Sequence, residues 1–162
     1  MTPLDLLLDH LDTAYDRKAW HGPTLNGVLR GVDAALASWR PAPDRHTIWE
    51  LAVHCAYWKY SVRRRLTGAP RGAFPLDGSN WIPRPADGAD WRQERRLLGA
   101  EHAALRAAVA ALDPDDLART PDGSTHTLAQ LIGGVAAHDL YHAGQIQLMK
   151  RLAREPSLTP HR

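Results

Sequence analysis

Apolar residues along this chain recur every three or four positions in four long stretches, and no stretch shows the strict alternation of a half-buried strand. Residues 3 to about 18 carry Leu4, Leu7, Leu8, Leu11 and Tyr15 on one helical face, with Pro3 suited to the first turn. Trp20-His-Gly-Pro23 interrupts that face, and Leu25, Val28, Leu29 and Val32 resume it. Asp33 then opens a short helical turn that ends at Pro41-Ala-Pro43. Thr47 begins the second long helix, which runs to about Thr67 with Ile48, Leu51, Cys55, Trp58, Val62 and Leu66 along its apolar side. Thr47 and Glu50 have the spacing of a capping box, in which side chains satisfy the free amides of the first turn. The third long helix covers about Trp91 to Leu112, with Leu97, Leu98, Leu105 and Val109 inward. The fourth starts at Thr127, where Gln130 repeats the capping-box spacing. Residues 68 to about 90 hold four prolines, four glycines and no periodicity, a length that suits a functional wall or lid as well as a packed connection.

This pattern predicts an all-α protein, a four-helix bundle with a long loop between the second and third main helices. It predicts one domain over residues 1–155 and a C-terminal tail over 156–162. A weak internal repeat has the same layout. At an offset of 80, Val32-Asp33 faces Leu112-Asp113, Pro41 faces Pro121, His46-Thr-Ile48 faces His126-Thr-Leu128, and Leu51 faces Leu131. Duplication and shared capping chemistry both account for such matches.

The fourth helix carries the candidate chemistry. Leu128, Leu131, Ile132, Val135, Ile146, Met149 and Leu152 mark one face, and within that face His138 and His142 stand where hydrophobes are expected. Four residues apart, the two imidazoles stack one turn from each other on the same side. Such a pair either hydrogen-bonds within the core or holds a divalent metal, and spacing leaves both readings open. A metal needs a third ligand from elsewhere in the chain. His46 and His126 precede helix starts, where exposure or a local bond suits them. His10 and His102 fall between polar and apolar faces, and His161 lies in the tail. His54 is the best candidate, because it sits beside the apolar stripe of its helix with no polar neighbour in Leu51-Ala-Val-His-Cys-Ala-Tyr-Trp58.

Composition narrows the classes. With 162 residues, 44% of them apolar and 23% charged, the chain can bury a core without staples. A net charge of +2 brings no basic stripe, and Arg63-Arg64-Arg65, the densest cluster, reads as a solvated helix end, so nucleic acid is not an expected partner. One cysteine, Cys55, allows no internal disulfide. Neither a signal-peptide pattern at Met1-Thr-Pro-Leu-Asp5 nor an apolar run of spanning length is present, so a cytoplasmic location away from membranes is expected.

Ile48-Trp-Glu-Leu-Ala-Val-His-Cys-Ala-Tyr-Trp58, followed far downstream by His138-Asp-Leu-Tyr-His-Ala-Gly-Gln-Ile146, resembles the DinB/YfiT-like metalloenzyme superfamily. The likeness spans nearly the whole chain, and Tyr141-His-Ala-Gly-Gln-Ile146 is its most specific piece. It implies a four-helix bundle whose metal ligands match His54, His138 and His142. It implies as cofactor a divalent metal ion, zinc or nickel first and iron or manganese next, and it supplies no single reaction. The expected function is a metal-dependent enzyme of thiol-dependent transferase or hydrolase type. Its partner would be a small-molecule substrate, and three imidazoles would leave metal positions open for water, a low-molecular-weight thiol or that substrate. The alternative is a non-catalytic metal-binding protein of stress response or structure. Glu50 and Asp139 are candidate partners for the free imidazole nitrogens, although Asp139 points about 100° away from His138 around the helix and is expected to face solvent or a neighbouring segment. Trp20, His21 and Trp81 either line the mouth of the site or cap the bundle end. A homodimer is expected from surplus aromatic residues, Trp39, Tyr57, Tyr60 and Trp81.

Overall fold

Each main helix begins with a side chain that caps it. In the computed structural model, which describes residues 1–154, α1 spans Pro3–Tyr15, α2 Leu25–Val28, α3 Ala34–Ser38, α4 Ile48–Thr67, α5 Trp91–Ala110 and α6 Leu128–Leu152, with a 3-10 helix at Pro114–Ala118 before α6. The boundary at residue 155, the tail and His161 lie outside the described residues. Thr47 with Glu50 and Thr127 with Gln130 form the capping boxes that the sequence predicts, and Thr2 with Asp5 forms a third. Gly68, at φ +70°, closes α4 in the left-handed conformation that glycine adopts without a Cβ clash. The face predicted from Leu25 to Val32 is helical only over α2, because the chain turns at Gly31, where φ is +70°. Both short elements and both following helices start at the repeat offset: α3 at 34 and the 3-10 helix at 114, α4 at 48 and α6 at 128.

The four long helices, α1, α4, α5 and α6, form the bundle, with α4 packed on α5 and α6, and α1 on α6 and α5. Two apolar clusters fill it. One gathers Leu25, Leu29, Ile48, Val53, Leu98 and Ile146, and the other Leu11, Val62, Leu105, Val109, Leu128 and Ile132. Between the clusters, α4, α5 and α6 each place polar residues inward: Lys59, His102, His138, Asp139 and His142. This polar layer is where the chemistry sits.

The segment from 68 to 90 contains no helix or strand and folds back onto the bundle. Ile82 is buried in the first cluster, and the Arg84 guanidinium donates to Glu94 at 2.8 Å. It is a wall, fixed by apolar contact and by an ion pair. Of the aromatics expected on a dimer face, Tyr60 is buried, Trp39 and Tyr57 are half-buried, and Trp81 is partly exposed while stacking on His46 and His54. The large apolar side chains that do stand exposed include Trp20, Tyr141, Leu148 and Leu152.

Candidate metal centre

His54 projects from α4 toward α6, where His138 and His142 stand one turn apart. His138 Nε2 lies 3.0 Å from His54 Nε2 and 3.0 Å from His142 Nε2. The fold thus brings together the three histidines that the sequence singles out. His54 keeps 4% of its surface and His142 3%, because the apolar clusters close over the layer on both sides.

The Nδ1 atoms of His54 and His142 assign the tautomers at this contact. His54 Nδ1 is 3.0 Å from the Asn80 carbonyl, an acceptor, so Nδ1 carries the proton and Nε2 presents a lone pair. His142 Nδ1 lies 2.6 Å from Gln145 Oε1, which as oriented assigns the same tautomer. Two lone pairs therefore point at His138 Nε2, which has at most one proton to donate. The three nitrogens cannot all be satisfied by one another. A cation could satisfy them together: imidazole nitrogens bound at tetrahedral angles to one zinc ion lie about 3.3 Å apart, close to the 3.0 Å that separates His138 Nε2 from each of the other two. Burial pushes the His54 imidazole down to about 4 and the His138 imidazole down to about 3, and burial also lowers His142. All three are neutral near pH 7, the form in which an imidazole can bind a metal.

Aromatic side chains and the loop wall hold this geometry. Trp81 is sandwiched between His46, 3.6 Å away, and His54, 3.7 Å away, in nearly parallel stacks. Trp58 meets His54 and His138 edge-on, and its indole donates to Asn80 Oδ1 at 2.9 Å. Asn80 itself sits at φ +57°, a conformation that asparagine tolerates better than most residues. Its carbonyl orients His54 while its side chain orients Trp58.

Neither carboxylate proposed from the sequence touches a site imidazole nitrogen. Glu50 accepts from the Thr47 amide, from Arg40 and from the Arg84 amide, stapling the capping box to the loop wall. Burial raises its pKa, but these donors outweigh it and the net shift is downward. Asp139 does turn away from the ligands, yet it is fully buried and ion-paired with Lys59. It faces a neighbouring segment and not solvent, because α6 is covered by both α1 and α4. Trp20 and His21 are exposed and line a separate groove with Ala137 and Leu140, away from the centre, while Trp81 lies on it. The triplet Arg63-Arg64-Arg65 is half-buried, and Arg63 pairs with Glu101 at 2.9 Å. His46 is partly exposed against Trp81, and His102 is buried against Tyr15 with centroids 3.8 Å apart. Sequence reasoning missed Asn80, Gln145 and Lys59. Gln145, three residues after His142, had a signal in its spacing; Asn80, in an aperiodic loop, had none.

Fold and site together define a helical bundle with a buried three-histidine centre that could hold a metal. The chain belongs to the DinB superfamily, whose family model matches residues 18–146. No curated protein and no solved structure matches it. Among the described residues, no helix is long and apolar enough to cross a membrane.

Proposed function

We propose that this protein is a metal-dependent enzyme of transferase or hydrolase type, with His54, His138 and His142 as its metal ligands. The observation that carries the reading is the convergence of three neutral imidazole nitrogens that cannot all be satisfied by one another. Three protein ligands, and not four, characterise catalytic zinc sites. Membership of the DinB superfamily supports the same reading. A divalent ion bound there supplies a Lewis acid that lowers the pKa of a water or a thiol. The protein's own residues do the rest. Asn80 and Gln145 fix the ring orientations of His54 and His142, and Trp81 keeps water from one face of His54.

The expected substrate is a small molecule, with a low-molecular-weight thiol as co-substrate and zinc or nickel as first candidates for the ion. A reducing cytoplasm fits the single free cysteine, Cys55. A homodimer belongs to the reading too, supported by Tyr141 and Leu148 exposed on α6 and tested by sedimentation of Tyr141→Arg.

The deciding experiment is metal analysis of protein purified without a histidine tag, followed by a panel of thiols and electrophiles. One equivalent of metal in the wild type, lost in His138→Ala, with turnover that depends on that metal, supports the proposal. Stoichiometric metal with no exchangeable position would move the reading to a metal that only ties α4 to α6. Absence of metal binding would end it.

A further inference from the structure

A cavity of about 560 Å³ leads away from the histidine centre between α4 and α6. His138 and Trp58 form its inner end, and Val62 and Val135 line its walls. Arg65 and His126 stand at the outer end. The volume is that of a small-molecule site, and most of the surface it exposes is apolar although polar residues also line it.

Arg65 brings to this cavity a half-buried guanidinium with one edge that no acceptor among the described residues fills. Its Nη1 donates to the Ser61 hydroxyl at 2.6 Å and to the Ser61 carbonyl at 3.2 Å, which bends the side chain back one turn toward the metal centre. The Nε–Nη2 edge, the one that takes a carboxylate in bidentate fashion, has no acceptor among the described residues. Among the described residues Arg65 also has no carboxylate within ion-pair distance, whereas Arg63, two residues earlier, is paired with Glu101. Burial, and then the neighbouring charges of Arg64 and Arg71, lower the Arg65 pKa. The guanidinium lies level with Ser61, seven residues beyond His54 on the same helix. At the rise of an α-helix that places it about 10 Å from the histidines.

We propose that this cavity binds an organic carboxylate, its anionic end on Arg65, its apolar body against Trp58, Val62 and Val135, and its reacting group at the histidine centre. The proposal rests on the metal-enzyme reading and adds to it the class of substrate. A neutral molecule of equal size would leave the Arg65 edge desolvated and unpaired, which is the basis for discrimination.

The test uses the full chain loaded with cobalt(II) and two thiols of matched length, ω-mercaptohexanoic acid and ω-mercaptohexanol, whose flexible chains span this separation. Binding is read from the sulfur-to-cobalt charge-transfer band. The acid should bind at least about tenfold more tightly than the alcohol. Arg65→Gln should erase that preference without changing cobalt affinity, and Arg65→Lys should retain part of it. Equal binding of the two thiols, a preference that survives Arg65→Gln, or no band from either thiol on a cobalt-loaded chain would overturn the proposal while leaving the metal reading intact. A chain that takes up no cobalt would overturn the metal reading itself, and this proposal with it.

Discussion

Lys59 and Asp139, both without solvent exposure, form an ion pair where α4 packs on α6, and they stand 80 residues apart, the same offset that relates the two halves of the chain. Each is the other's counterpart in the repeat. Around them the polar layer is continuous: the Lys59 ammonium lies 5.2 Å from the centre of the Tyr15 ring, and Tyr15 stacks on His102. Burial, with Asp139 adding to it, pushes the Tyr15 phenol up to about 12, so it stays protonated.

Removing one partner of this pair leaves a buried charge uncompensated. Lys59→Met should therefore lower stability by about 3–5 kcal/mol, whereas Lys59→Met combined with Asp139→Leu should recover most of the loss. Urea denaturation of the two variants checks this. A single variant as stable as the wild type would show that the pair contributes nothing.

Asn80 is predicted to govern the metal through His54. Asn80→Ala places an ordinary side chain at φ +57° and removes the bond to Trp58, so metal affinity should fall by about 10- to 100-fold. Asn80→Gly tolerates that backbone and keeps the carbonyl on His54, so its loss should be several-fold smaller. Competition with a chromophoric chelator ranks the two, and the reverse order would contradict the role given to the carbonyl.

Acid should release the metal and the stability that comes with it. Metal that binds only the folded state at a hundredfold excess over its Kd adds about 2.7 kcal/mol. The ligands must be unprotonated, and a free histidine takes up its proton near pH 6.5, so protons compete at three sites below that point. The melting temperature of metal-loaded protein should exceed that of the chelated protein by several degrees at pH 7.5, and the gap should close near pH 5. His142→Ala should show little gap at either pH. A wild-type melting temperature indifferent to chelator at pH 7.5 would mean that the three histidines serve only the core.

His102 gives an acid sensitivity independent of metal. Burial, helped by the Lys59 charge, pushes its imidazole down to about 3. Between pH 6.5 and about 3 the unfolded chain holds a proton at this residue that the folded chain does not, so stability declines as pH falls through that window. His102→Phe, which keeps the stack on Tyr15, should flatten the decline in chelated protein. Urea midpoints at pH 7.0, 5.5 and 4.5 measure it, and identical slopes in variant and wild type would assign the acid sensitivity elsewhere.

The helices and their caps were legible in the chain because both are local. A 3.6-residue period and a Thr-x-x-Glu or Thr-x-x-Gln spacing act within one or two turns, and α4 and α6 begin where those signals stand. The pairing of His138 with His142 was legible for the same reason, since four residues along a helix put two rings on one side whatever surrounds them. What lies opposite a given side of a helix is decided only by packing. Asp139 was placed correctly around α6, yet a second helix covers that side, and Lys59, on a helix of its own, supplies the charge that meets it. His54 reaches His138 across 84 residues because α4 lies against α6, and its free nitrogen is held by a loop carbonyl that no periodicity marks. Local patterning set the elements and the candidate histidines; packing brought them together, because contacts between distant segments depend on the whole core closing at once.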